Sequence, residues 1–322
     1  MPKMLRLVAL STLAILLASP AAVAQVGVTV STKNPEQIAT LHWYSANQTT
    51  TFTVAGFPFG AAFDGANLWI SSLTGDTVTK VRANDGAMLG TFAVGGSPSG
   101  VAFDGANVWV ANENDSTVSK LRASDGTVLG TFSVGSHVAP LRVAFDGANI
   151  WVTTLVGKVI KVRASDGTVL GTFTAGTSPS HIAFDGANIW VTNTGSNNVT
   201  KFRTTDGAVL GTFSVGSTPQ GLVFDGANIW VVNAGDNNVT KLRASDGAVL
   251  GTFSVGSNPY GAVFDGANIW VVNFSSSNVT KLAAKNGASL GTFKVGQGPE
   301  EAAFDGANIW VLNVNDGTAS KL

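Results

Sequence analysis

A seven-residue motif, Phe-Asp-Gly-Ala-Asn-x-Trp, recurs seven times, and no other feature constrains this chain as strongly. It begins at Phe63, Phe103, Phe145, Phe184, Phe224, Phe264 and Phe304, with spacings of 40, 42, 39, 40, 40 and 40 residues. Self-similarity at that period means a stack or ring of small supersecondary units, none able to bury its apolar face alone. The fifth unit shows the internal plan. Gly221–Phe224 reads as a first strand, A, and Asp225-Gly226-Ala227-Asn228 as a turn capped by its own polar side chains. Ile229–Asn233 is strand B, Asn238–Arg243 strand C, Ser245-Asp246-Gly247 a hairpin turn and Val249–Val255 strand D. Each strand has four to seven residues, and no helical period appears.

Four antiparallel strands repeated seven times predict an all-β, seven-bladed β-propeller spanning residues 51–322. The ends of the repeat array argue for a closed ring over an open solenoid. Thr51-Phe52-Thr53-Val54 matches a D strand alone, whereas Ser320-Lys321-Leu322 matches a C strand with no D strand after it. An N-terminal outer strand that completes the C-terminal blade satisfies both ends and leaves no unfinished blade. The seven motif Phe residues and seven B-strand Trp residues are expected to fill the gaps between blades.

Residues 1–24 have a different character. Lys3 and Arg6 precede an apolar run from Leu7 to Leu17 and a small-residue end, Ala22-Val23-Ala24. This is the pattern of a secretory signal peptide cleaved after Ala24, and it predicts a periplasmic or secreted protein with no membrane span after cleavage. The chain has no cysteine, so neither disulfides nor thiolate metal sites are available to it. Between the leader and the repeats, residues 25–50 form an extension. There Asn34-Pro35-Glu36-Gln37 reads as the start of a short helix, with Ile38, Leu41 and Trp43 or Tyr44 on its apolar side.

Only 12% of residues are charged and the net charge is −1, which argues against a nucleic-acid partner. The C strands carry pairs such as Lys80/Arg82 and Lys241/Arg243. A polyanion-binding girdle is one reading of them; pairing with the turn Asp residues and with neighbouring blades is the other. A monomer is expected.

The unit Gly-Ser-x-Pro-x-Gly-x-x-Phe-Asp-Gly-Ala-Asn-Ile-Trp-Val-x-Asn, with Asn-x-Val-Thr-Lys-Leu after it, resembles the YVTN and NHL-type propeller repeats over about residues 50–322. It is similar to exported YncE-like propellers and, more loosely, to virginiamycin B lyase. The resemblance implies the propeller fold. Its lyase branch implies a metal-assisted His/Glu site near the ring centre. No His and Glu share one B strand and its following loop here; Trp109-Val110-Ala111-Asn112-Glu113 carries the Glu without a His.

Function is expected where the units stop being alike. The Asp-Gly-Ala-Asn turns are the same in all seven, which points to backbone geometry and not to a calcium site. The opposite face, made by the D–A and B–C connections, varies. The pairs following each D–A proline are Phe59-Gly60, Ser99-Gly100, Leu141-Arg142, Ser180-His181, Gln220-Gly221, Tyr260-Gly261 and Glu300-Glu301. Arg142, His181 and Glu301 therefore stand where four units have glycine. The B–C connections open differently too, with Glu113, Leu155 and Phe274 among the departures. The expectation is a binding mouth with walls from Phe59, Leu141, Leu155, Tyr260 and Phe274, in which Glu113, Arg142, His181, Gln220, Glu300 and Glu301 orient a polar ligand. No cofactor and no resident metal are expected, because both Glu300 and Glu301, adjacent on one strand, are unlikely partners for one ion. The function expected is binding of a small ligand or an envelope or extracellular protein. The alternative is a metal-assisted lyase or lactonase-type hydrolase working at the channel mouth.

Overall fold

The computed structural model describes residues 50–54 and 56–322; the expected leader and the short helix of the extension lie outside them. Every described unit folds into four antiparallel strands, and seven such sheets form the propeller. Blade 1 comprises Pro58–Phe63, Asn67–Ser72, Thr77–Arg82 and Met88–Ala93 as strands A to D. Blade 7 comprises Pro299–Phe304, Ile309–Asn313 and Thr318–Lys321, with Thr50–Thr53 as its D strand. That last strand pairs in register from Thr50 opposite Lys321 to Thr53 opposite Thr318. The A strands of successive blades abut, including those of blades 7 and 1, so they surround the ring axis. Among the described residues no helix is long and apolar enough to cross a membrane.

The motif residues explain why the blades stack. In the first A–B turn Asp64 Oδ1 accepts from the amides of Ala66 and Asn67, at 2.9 and 2.7 Å. Its Oδ2 accepts the indole N–H of Trp69, and all seven turns repeat this bond at 2.7–2.8 Å. Burial works against the Asp64 charge, but the Trp69 indole, the Ala66 amide and Asn67 outweigh it and hold the carboxyl below its ordinary range. The turn thus fixes the one polar atom of a Trp whose ring must be dry. Six of the seven indoles are wholly buried, and Trp270 is 7% exposed.

Each Trp belongs to its neighbour's core as much as to its own. Trp69 packs with Val101, Val108, Val110 and Leu121 of blade 2, and Trp310 with Leu68, Ile70 and Val81 of blade 1. The motif Phe residues lie only partly buried at the edges of these clusters. The ring partner of the Trp is a D-strand Phe, with centroids 5.1–5.7 Å apart in all seven blades. That Phe also reaches the next blade: a Cβ on the turn residue Gly126, at φ +78°, would run into the Phe92 ring.

The C-strand cations serve the same interface. Each Lys ammonium lies 4.4–5.3 Å from the centre of its blade's Trp ring. In six blades it also donates across the gap to a carbonyl of the next blade, at 2.6–2.7 Å. Blade 7 has no C–D turn to offer one to Lys281, and Trp270 beneath that lysine is the indole left partly open. The arginines pair at the rim with turn aspartates, as in Arg82–Asp85 at 2.9 Å. In blade 6 both partners are replaced together, by Ala283 and Asn286. The cations are therefore committed within the fold, and the polyanion girdle is not supported.

Candidate functional site

The variable residues after each D–A proline do not lie in loops. They sit inside the innermost strands, at a β-bulge that every blade carries. In blade 3 Pro140 pairs with Thr154 and Val143 with Val152, so Leu141 and Arg142 together oppose one residue, Thr153. Blade 4 does the same with Ser180 and His181 opposite Thr192. A bulge releases two residues from the ladder and redirects their side chains, here toward the axis. The partner hydroxyl then restores the lost backbone bonds. Thr153 Oγ1 accepts the Arg142 amide (3.1 Å) and donates to the Ser180 carbonyl of the next blade (2.7 Å). Thr192 does likewise for His181 and Gln220, at 2.9 and 2.7 Å. Where the bulge residue is glycine, its neighbour is too close for a side chain: a Cβ on Gly60 would strike the Ser99 carbonyl.

The three residues that break the glycine rule converge. Arg142 Nε lies 3.3 Å from His181 Nε2, His181 Nε2 lies 3.2 Å from Glu301 Oε2, and Arg142 Nε lies 3.7 Å from Glu301 Oε2. Blades 3, 4 and 7 thus meet across the axis. Arg142 is 5% exposed and His181 7% exposed. The guanidinium stacks on Phe59, 4.2 Å from the ring centre, and the His181 ring meets Tyr260 edge-on at 5.8 Å. Both stacked aromatics are residues of the expected mouth.

Protonation follows from this geometry. Burial and the Arg142 charge hold His181 below the usual imidazole range, against the pull of Glu301. A neutral imidazole offers Nε2 a single role. With the proton on Nδ1, Nε2 accepts from Arg142, and Nδ1 donates to Ser180 Oγ at 3.1 Å, which donates to Gln220 Oε1 at 3.0 Å. With the proton on Nε2, Glu301 is its acceptor and Ser180 donates to Nδ1. Burial also works against the Glu301 charge, but His181, Arg142 and the Ala302 amide outweigh it. Ser180, His181 and Glu301 stand in the order of a nucleophile relay. Ser180 Oγ, however, is 5% exposed at the residue level and engaged by Gln220, and Ser180 does not line the axial cavity described below.

Glu300, the bulge neighbour of Glu301, behaves differently. It is 5% exposed, and the Tyr260 hydroxyl donates a hydrogen bond to it. Burial raises its carboxyl to about 7, with Glu301 adding to the rise and Arg142 opposing it. Tyr260 is pushed up to about 12 by burial and by Glu300. Glu113, half-buried, is raised by burial against the attraction of Arg142. A carboxyl with a raised folded value adds stability that is complete below its unfolded value near 4.5 and is lost as pH climbs through about 7. Glu300→Gln should therefore gain on wild type as pH rises from 5 to 7.5, read as a growing difference in melting temperature. Parallel curves would show that Glu300 is ionised in the fold throughout.

The cluster borders a cavity of about 140 Å³ on the ring axis, which all seven blades line. Its polar wall is Arg142, His181 and Glu301; its apolar wall is Ala61, Val101, Val143, Ile182, Leu222 and Ala262. Arg142 Nη1 is buried without a hydrogen-bond partner among the described residues.

Not every expected residue joins this centre. Phe59, Arg142, His181, Gln220, Tyr260, Glu300 and Glu301 are linked by the contacts above, and Glu113 by charge. Leu141 contributes its carbonyl, which accepts from Ser99 Oγ at 2.7 Å. Phe274 is half-buried in blade 6 and makes no ring contact in the cluster. Leu155, 45% exposed, lines a separate surface groove of about 370 Å³ with Val156 and Thr174–Ser178. The organising residues that motif reading passed over are Thr153 and Thr192. Their signal was a hydroxyl at a B-strand position that holds Val232 and Val272 in other blades. Among the described residues no three His, Cys, Asp or Glu side chains are grouped to hold a metal ion.

No family model matches the sequence, and no curated protein is similar to it. Among solved structures the chain is similar to Kuenenia stuttgartiensis hydrazine synthase, with a TM-score of 0.72 and 20% identity. The match covers 83% of this chain and 95% of the other. At that identity the likeness concerns the fold alone.

Proposed function

We propose that this chain is an exported binding or scaffold propeller, of the YVTN/NHL repeat type, that takes a ligand or protein partner at its variable face with the Arg142–His181–Glu301 cluster at the centre. The observation that carries this reading is the convergence. Three blades independently depart from a glycine template, and the three departures touch one another beside an axial cavity. Drift in exposed loops supplies no such meeting; Arg142 and His181 are buried and the Glu301 side chain is only 14% exposed. Export rests on residues 1–24 alone.

Reverting the three positions to the template tests the reading. Arg142→Gly/His181→Gly/Glu301→Gly should keep the propeller, because four blades already carry glycine there. Thermal-shift screening against a broad panel of small metabolites should find compounds that stabilise wild type and leave the reverted protein unmoved. Compounds that stabilise both proteins equally would place binding elsewhere. The second reading, a metal-assisted lyase or hydrolase, is favoured only by the 3.2 Å approach of His181 to Glu301. Stoichiometric divalent metal in purified protein, lost in His181→Ala, would select it.

A further inference from the structure

Blade 3 departs from the template at a second place, away from the ring axis. Its B–C connection is Leu155-Val156-Gly157, one residue shorter than Thr194-Gly195-Ser196-Asn197 of blade 4. Its C strand then opens on Lys158, where every other blade opens on Thr or Asn. Both changes fall on the surface groove of about 370 Å³, which shares no lining residue with the axial cavity.

The shortened connection leaves a backbone donor open. In other blades the last B–C residue has a positive φ, and its side chain accepts an amide from the next D–A connection. Asp76 accepts from Ser97 at 2.9 Å, Asn197 from Thr218 at 2.9 Å and Asn237 from Asn258 at 2.7 Å. Gly157, at φ +77°, keeps the conformation and has no side chain to offer. The equivalent amide belongs to Ser178, which precedes its proline as the other three do, and it meets no acceptor among the described residues. The two amides before it are satisfied, Gly176 by Asn193 at 3.0 Å and Thr177 by Ser196 at 2.7 Å. The Ser178 amide is thus directed at the space over Gly157, and both residues line the groove.

The other lining residues say what would take that donor. Lys158 lies there with Nζ 3.0 Å from Thr174 Oγ1, and none of the described lining residues is acidic. Leu155 and Val156 are 45% and 51% exposed; every other large apolar side chain so exposed among the described residues lies on a D strand. An anion gains charge-assisted hydrogen bonds from an ammonium and an open amide. A hydrocarbon body gains by covering the two aliphatic side chains. The groove's volume is at the small end of the range for small-molecule sites.

We infer that the groove between blades 3 and 4 binds an aliphatic carboxylate, whose oxygens take the Ser178 amide and the Lys158 ammonium while its hydrocarbon lies on Leu155 and Val156. A free acid carries this group, and so does the carboxyl end of a peptide that finishes on an aliphatic residue.

Hexanoate, hexanamide and hexylamine, of nearly one shape and three charge types, test the class. Ligand-observed NMR titrations on the full-length protein should show hexanoate binding at least fivefold tighter than the other two. Gly157→Asn supplies the missing acceptor, as Asn197 does in blade 4, and Lys158→Asn removes the cation in favour of the residue that blade 4 carries as Asn198. Both copy side chains the fold already accommodates, and each should weaken hexanoate at least fivefold. Acetyl-Ala-Ala-Leu with a free carboxyl end, compared with its amide, separates the two sources. Peptide binding that is tighter than hexanoate and lost on amidation makes the ligand a chain terminus; hexanoate at least as tight makes it a free acid. Equal or tighter binding of hexanamide or hexylamine overturns the ligand class, and so does the failure of both hexanoate and the peptide acid to bind. Carboxylate binding that ignores both substitutions, or that disappears in Arg142→Gly/His181→Gly/Glu301→Gly, overturns the location. The axial cluster is judged separately, by the thermal shifts of that triple variant.

Discussion

Trp230→Ala should lower the unfolding free energy by about 3–5 kcal/mol, the range for removing a wholly buried large aromatic. The site gives no room for the loss to be absorbed. The indole stacks on Phe253 at 5.4 Å, supports the Lys241 ammonium at 4.8 Å and is bonded to Asp225 at 2.7 Å. It also packs against Ile269, Val271 and Leu282 of blade 6. Removal leaves a cavity at a blade junction and strips the Asp225 carboxylate of one of its donors, and an unmade bond to a buried polar group costs more than the bond's net worth. Trp230→Phe separates the contributions. It keeps much of the ring and loses the indole N–H, so it should cost roughly 1–3 kcal/mol. Chemical denaturation, compared at equal m-values, reads both. A Trp230→Ala cost under about 1 kcal/mol would mean that the blades are not held by this ring of indoles.

The repeat made the architecture legible because a propeller's local rules are also its global ones. The Asp-Gly-Ala-Asn turn, the hairpin glycines and the alternating strands each specify local geometry, and seven copies leave a ring as the way to bury seven Trp faces. The axial cluster was legible only as a set of exceptions. Arg142, His181 and Glu301 stood out against Gly60, Gly100, Gly221 and Gly261, and that contrast needed no coordinates. Which exceptions meet was not legible, because it depends on bulge geometry and on positions across the ring. His181 and Glu301 are 120 residues apart and 3.2 Å apart. The same limit explains Phe274 and Leu155, which depart from the template as clearly and lie away from the cluster. It also explains the assignment of the variable pairs to loops: a bulge keeps both residues inside a strand that hydrogen-bond patterns still define. The motif Phe residues, expected to fill the gaps between blades with the Trp residues, lie only partly buried at the edges of those clusters. The D-strand Phe, on the outer strand of the same sheet, is the one placed over the indole.

Phe52→Ala should be as damaging as the same change in a middle blade, because the closing strand is built with the same parts. Phe52 lies 5.2 Å from Trp310, as Phe213 lies 5.3 Å from Trp190. It presses on Gly86 of blade 1 as Phe213 presses on Gly247 of blade 5. Val54, 4% exposed, donates to the Gly317 carbonyl at 3.1 Å, and Lys321 crosses the junction to Ala83 at 2.7 Å. The D strands are the outermost in every blade, so loss of one opens an edge without unthreading the rest. Phe52→Ala and Phe213→Ala should each cost about 3–5 kcal/mol, which in a domain this large lowers the melting temperature by roughly 6–20 °C. The comparison matters more than either value, since the two residues differ only in how their strand reaches the sheet. The Phe52 strand comes from the other end of the chain, so what it stabilises includes the closure of the ring itself. Thr51→Pro adds a backbone test: proline removes an amide and opposes ladder pairing, and its effect should fall on the blade 7 to blade 1 junction first. Hydrogen exchange would read that as early loss of protection at Thr318–Lys321, with the middle blades unchanged. If Phe52→Ala costs nothing while Phe213→Ala costs its full amount, the amino-terminal strand is a passenger on blade 7, and the ring is held shut by contacts among the inner strands alone.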